Sequence, residues 1–241
     1  MTMKARRTLV PVLGVVAALL LCLGASGARA QDAGSKLDVF VGYSYLDHNA
    51  SSFDCGGDIG DCFDPGIHGV AASVVYNFNR HIGLEANLAD NNGTSTLATY
   101  AEPSDAYVDR YKVQDGEFNY LFGPKITEPI GNFQIWTHFL AGGGHTHQTY
   151  TESYTEAEDP NVTTSIFRGN GFVMEVGGGV DWVHNRWGIR LLEVDYLHGN
   201  ALISGDCTGY DCSTGGDFIS TQASESDLRI SLGVVMHFGK R

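Results

Sequence analysis

The sequence predicts an all-β protein, a closed antiparallel eight-stranded transmembrane up-and-down barrel with long extracellular loops and short periplasmic turns. Three observations carry this expectation. The chain opens on an export signal, the remainder alternates apolar and polar side chains with a period of two, and its connections alternate between long and short.

Lys4, Arg6 and Arg7 precede an apolar run over residues 9–24, and Ala28-Arg29-Ala30 sets small residues before Gln31. A basic start, a short apolar stretch and a small-residue site describe a secretory signal cleaved after Ala30. Residues 1–30 are therefore assigned to a cleaved signal peptide and residues 31–241 to one barrel domain. Leu21 stands before Cys22 where a lipoprotein signal needs a small residue, which argues against lipidation. No later stretch has the continuous apolar length of a spanning helix, so any membrane residence must come from strands.

The chain has 15 Lys+Arg against 28 Asp+Glu, a formal charge of −13. Loss of the signal removes Lys4, Arg6, Arg7 and Arg29 and no acid, so the mature chain is more acidic still. Such a balance repels phosphates and excludes nucleic acid as a partner.

The first strand places Leu37, Val39, Val41, Tyr43 and Tyr45 on one face and Asp38, Phe40, Gly42 and Ser44 on the other. Val70, Ala72, Val74, Tyr76 and Phe78 repeat the pattern. After Asn79-Arg80-His81 it resumes at Ile82, Leu84, Ala86 and Leu88 as a tight hairpin. Phe118, Tyr120 and Phe122 lead to Lys125, and a turn is expected over residues 127–132. Phe133, Ile135, Thr137 and Phe139 then alternate with Gln134, Trp136, His138 and Leu140. Phe172, Met174, Val176, Val180 and Trp182 oppose Glu175, Gly177, Gly179 and Asp181. Past residues 184–187, Leu192, Val194 and Tyr196 oppose Glu193 and Asp195. The last strand sets Leu228, Ile230, Leu232, Val234, Met236 and Phe238 against Asp227, Arg229, Ser231, Gly233 and His237. Pro124 cannot donate to a ladder and is expected at the periplasmic rim or in a bulge.

Alternation alone does not say which face meets water, because a soluble barrel buries its apolar face. Connection lengths decide. Polar stretches over residues 48–68, 90–112, 145–170 and 198–225 alternate with short turns, the pattern of barrels whose long loops face outside. Tyr45, Tyr76, Phe133 and Trp182, near strand ends, fit aromatic girdles.

Asn119-Tyr120-Leu121-Phe122-Gly123-Pro124-Lys125, Gly177-Gly178-Gly179-Val180-Asp181, residues Arg190 to Tyr196 with their Glu-Val-Asp-Tyr, and the terminal strand follow in order. With them, nearly all of the mature chain resembles the small outer-membrane β-barrel proteins grouped with the opacity and OmpA-like transmembrane domains. Ser231-x-Gly233-x-x-Met236-x-Phe238 also resembles the signal read by the barrel-assembly machinery, although this chain continues through Gly239-Lys240-Arg241. The resemblance implies a place in the bacterial outer membrane, with lipid and the barrel-assembly machinery as partners and an unknown surface ligand as a further one.

With the oily face outward, the interior receives Asp38, Glu85, Lys125, His138, Glu175, Asp181, Glu193, Asp195, Arg229 and His237. Unpaired charge in a narrow interior is costly, so Lys125 and Arg229 are each expected to be shared by several carboxylates, with Glu85, Glu175 and Glu193 as partners. The expected role is a plug that holds the strands in register. A narrow ion or small-solute pore is the alternative, disfavoured because eight strands leave room only for side chains.

Cys55, Cys62, Cys207 and Cys212 remain after export and are disulfide candidates, with three connectivities open. Asp54, Asp58, Asp61, Asp64, Asp206, Asp211 and Asp217 lie near them but match no calcium-loop consensus. No cofactor or metal site is expected. There is no Gly-x-Ser-x-Gly, no His-Glu-x-x-His and no phosphate-cradling loop, so no enzyme is expected. A lipid-modifying enzyme would use a rim His and Ser, for which His145, His147, Ser153 and His198 qualify by type alone. The sequence thus points to a structural or surface-interaction role through acidic, disulfide-tied loops.

Overall fold

Period-two patterning builds eight strands: β1 (Ser35–His48), β2 (Ile67–Asn77), β3 (Ile82–Ala101), β4 (Val108–Ile130), β5 (Phe133–Glu156), β6 (Asp159–His184), β7 (Trp187–Gly209) and β8 (Phe218–Lys240). The computed structural model describes residues 35–48, 66–101, 108–156, 159–209 and 218–240; the predicted signal peptide, Cys55, Cys62 and Cys212 lie outside them. Each strand pairs antiparallel with the next, and β8 returns to β1 from Ser35↔Lys240 to His48↔Asp227, closing the sheet as the sequence predicts. Closure lets the ladder be completed within the ring and removes the edges that would otherwise recruit other chains.

The two faces have opposite chemistry. Large apolar side chains point outward, among them Val70 at 52%, Tyr120 at 53%, Phe122 at 55% and Phe139 at 50% exposure, whereas Glu85 is at 0% and Arg229 at 1%. Water-soluble barrels have the reverse polarity.

Three short turns join the strands at one end. The β4–β5 and β6–β7 hairpins turn on two residues each, and in both the first turn residue has positive φ, Gly131 at 61° and Asn185 at 58°. Left-handed backbone there suits Gly and Asn and matches the twist of the flanking strands. β4 runs on to Ile130, so the turn expected over 127–132 is confined to Gly131 and Asn132. The Ile130↔Phe133 pair, extended from Thr127↔Trp136, holds those residues in the ladder.

Pro124 lies neither at the rim nor in a bulge. It pairs with Leu84 of β3, while pairing with β5 lapses between Phe122↔Ala141 and Lys125↔His138 and resumes in the same register. The missing N–H costs a local interruption on one side without shifting the ladder.

At the other end, much of what the sequence offers as long loops is strand. β5 and β6 stay paired to Glu156↔Asp159, and β4 and β5 to Val108↔Thr155. Threonine and tyrosine in this reach, as in Thr149-Tyr150-Thr151, favour extended backbone despite their polarity. β2 meets β3 no further than His68↔Asn92, so β3 to β8 continue as a crown above the closed ring. Amide hydrogen exchange should show the cross-strand amides of residues 145–153 and 162–170 protected well beyond loop values; exchange at loop rates would show that the crown is not paired.

Candidate functional site: the charged interior

Inward positions repeat every second residue, so neighbouring strands meet inside the barrel level by level. β3 supplies Glu85, β4 Lys125, β5 Trp136 and His138, β6 Glu175 and Asp181, β7 Arg190, Glu193 and Asp195, and β8 Arg229. All of them are buried. The next inward positions toward the crown, Leu140, Val173 and Leu197, join Leu46, Ile67 and Leu121 in an apolar cluster that covers the charges from that side.

Two linked groups form. In the first, Lys125 Nζ lies 3.7 Å from Glu85 Oε2, and the same oxygen meets His138 Nδ1 at 3.0 Å. His138 Nε2 faces Asp195 Oδ1 at 3.1 Å and Glu175 Oε1 at 3.3 Å. Arg229 closes the chain, donating from Nη2 to Glu175 Oε2 at 2.7 Å and to Asp195 Oδ2 at 3.1 Å. In the second, Arg190 donates to both oxygens of Asp181 at 2.9 and 3.3 Å and to both oxygens of Glu193 at 3.1 and 3.2 Å. Aromatic faces join the two groups, since Lys125 Nζ lies 3.7 Å and Arg190 Cζ 4.3 Å from the Trp136 ring centroid, and Arg190 also sits over Phe40 at 3.9 Å.

Of the interior residues singled out from sequence, Glu85, Lys125, Glu175 and Arg229 lie in the first group and Glu193 in the second. The partner assignments differ in detail. Lys125 meets one carboxylate and an indole rather than several carboxylates, and the hydrogen bonds that Glu193 accepts come from Arg190. Strict alternation back from Leu192 would turn Arg190 outward along with it. The β7–β8 ladder shifts between Arg190 and Glu193, leaving Leu191 and Leu192 both exposed and returning Arg190 to the interior. A bulge inserts one residue and inverts the facing of everything beyond it. The adjacent leucines are its one visible trace in the sequence.

Toward the short turns, Asp38 accepts from Asn77 at 2.6 Å and meets His237 Nδ1 at 2.6 Å, joining β1, β2 and β8. Cys207 falls in β7 opposite Ser165; the other three disulfide candidates lie outside the described residues. The rim histidines take separate partners. His145 Nδ1 meets Asn170 at 2.8 Å, while His198 Nδ1 lies 2.9 Å from Ser226 Oγ.

No protein-family model matches the chain, and no curated protein matches it. Among solved structures it is similar to Ail, the attachment invasion locus protein of Yersinia pestis, at 12% identity over 86% of this chain and 100% of that one, with a TM-score of 0.40. Neisserial surface protein A is similar at 13% identity over 85% of this chain and 98% of that one, TM-score 0.37. A major outer membrane protein from Thermus thermophilus is similar at 12% identity over 84% of this chain and 99% of that one, TM-score 0.39.

Replacing Arg190 by Met keeps its bulk but strands Asp181 and Glu193 without a cation. Unfolding in detergent should show a loss of about 3–5 kcal/mol. Adding Asp181→Asn should recover part of that loss; a single variant as stable as the parent would mean the guanidinium does not hold this part of the barrel.

Proposed function

We propose that residues 31–241 form an outer-membrane β-barrel of a bacterium, exported by a signal peptide cleaved after Ala30, with a structural or surface-interaction role exercised through the crown. The observation that carries this reading is the polarity of the sheet. Val41, Val70, Val74, Phe122, Ile135, Phe139, Val176 and Leu232 make an apolar exterior on every side of the ring, far beyond the patch a soluble monomer tolerates. An acyl-chain environment satisfies that surface, and the closed ladder satisfies the backbone. Lipid and the barrel-assembly machinery are the partners this reading requires.

The interior favours a plug over a pore. Phe40, Glu85, Lys125, His138, Glu175, Arg190, Asp195 and Arg229 are all buried at mid-barrel and fill the space through which a solute would have to pass. Binding then belongs to the crown, where rigid strands carry the connecting segments away from the lipid. The acidic segments between β1 and β2 and between β7 and β8, with the disulfide candidates Cys55, Cys62 and Cys212 in them and Cys207 at the end of β7, are the parts most able to give specificity.

A second reading, lipid acyl hydrolysis, has one observation in its favour. His198 and Ser226 are cross-strand neighbours, and Tyr196 Oη donates to Ser226 Oγ at 3.1 Å. Among the described residues no carboxylate bonds the far nitrogen of the His198 ring, which leaves the pair without the third group that orients a catalytic base. Release of fatty acid from outer-membrane lipid that is lost in Ser226→Ala would make this reading the correct one.

The mature protein folded into detergent or lipid should migrate differently on cold SDS gels before and after boiling. Val74→Arg should cost about 2–4 kcal/mol of folding stability in bilayers, as for a cation facing the hydrocarbon midplane, while Val74→Leu should be neutral. A stable fold in plain buffer, with Val74→Arg harmless, would mean that the apolar exterior faces something other than lipid.

A further inference from the structure

The mid-barrel groups do not balance in charge. Glu85, Glu175, Asp181, Glu193 and Asp195 bring five carboxylates, and Lys125, Arg190 and Arg229 bring three permanent cations. With every acid ionised and His138 neutral, two negative charges would be left over in a place closed to solvent, and buried charge of that kind is either neutralised by a proton or held with a compensating cation.

The geometry locates the deficit. His138 Nδ1 faces Glu85 Oε2, which places a proton on Nδ1 and turns Nε2 toward Glu175 Oε1 and Asp195 Oδ1. A bare lone pair against two carboxylate oxygens is repulsive, so either a proton on Nε2 or a metal ion stands among the three atoms. Arg229 binds the opposite oxygens, Oε2 of Glu175 and Oδ2 of Asp195, and leaves Oε1 and Oδ1 aimed at the gap. Glu175 Oε1 is buried and, among the described residues, has no hydrogen-bonding contact besides the 3.3 Å approach of His138 Nε2.

From this we infer that His138 Nε2, Glu175 Oε1 and Asp195 Oδ1 form a site for a first-row divalent metal ion such as Zn2+. The three atoms lie within 4.8 Å of one another. A tetrahedral shell with bonds of about 2.0 Å sets its ligand atoms about 3.3 Å apart, close to the 3.1 and 3.3 Å found from Nε2 to the two oxygens. One imidazole and two carboxylates suit zinc and its neighbours in the series better than calcium. Glu85 supplies the carboxylate behind the histidine, and Arg229 steadies both acids, the outer layer that such sites use to orient ligands.

The backbone leaves room as well. Gly177 stands in register between His138 and Asp195, and a Cβ there would lie 2.0 Å from Asp195 Oδ1. A divalent ion cancels both surplus charges, whereas a proton on Nε2 cancels one. The ion enters during folding, because all three ligands are closed to solvent in the finished barrel.

The test is to refold the mature protein, with its thiols blocked, in detergent with Zn2+ or with chelator only, then dialyse both against EDTA and measure bound zinc. About one zinc per chain should survive EDTA in the first sample, and the 15N resonance of His138 Nε2 should move to a metal-bound position. His138→Gln should hold at least roughly tenfold less zinc, and Glu85→Gln should weaken retention by about 10–100-fold. Zinc no higher than in His138→Gln, or a His138 ring protonated on both nitrogens whatever metal is supplied, would overturn the site and leave a proton as the cation. Should the variants fail to fold, zinc retention and the ring resonance of the parent protein decide between the two.

Discussion

Five carboxylates sealed at mid-barrel inside a ring of eight strands are the constraint around which this barrel is organised. They can reach neither the bulk solvent nor an escape through the wall, so compensation has to be found inside the ring. Lys125 and Arg190 do so between adjacent strands, β4 with β3 and β7 with β6. Other contacts reach further. His138 on β5 meets Glu85 on β3 and Asp195 on β7, and Arg229 on β8 holds Glu175 on β6, fixing the relative height of strands that share no ladder. A one-residue slip of any of these strands would turn its charge to the outer face.

That arrangement explains why polarity and register reinforce one another. The apolar exterior alone would tolerate sliding by two residues, because a side chain of the same kind would take each place. The interior would not, as Glu85, His138, Glu175 and Asp195 accept only one alignment of β3, β5, β6 and β7. Buried polar networks are costly in stability but effective in selecting a single structure, and here the selection acts on the ladder itself.

Much of this was legible in the sequence because a strand reports its facing every second residue. The run Phe133 to Leu140 shows Trp136, His138 and Leu140 on one side before any fold is known, and Leu228 to Phe238 does the same for the final strand. The inward facing of Arg190 was not legible, since the bulge at Leu191 and Leu192 inverts parity and its one trace, two adjacent leucines, does not by itself announce an insertion. Pairings were legible only as charge types: the sequence offers several acids to each cation, and which meet depends on height along strands that are tilted and staggered. The crown was misread for a different reason. Polar residues such as those over 145–156 lack an apolar face, and strands that need no oily side are invisible to a test for one.

The even number of strands has a consequence for how the molecule can be handled. Ser35 and Lys240 are partners in the ladder, so both ends of the paired sheet emerge beside the three short turns. Whatever is joined to either end starts from that side, a full barrel height from the crown. Only an insertion into one of the connections between the long strands can place a peptide, a label or an affinity handle on the opposite side. The molecule thus has one pole that carries the ends of the sheet and an opposite pole built wholly from its interior sequence.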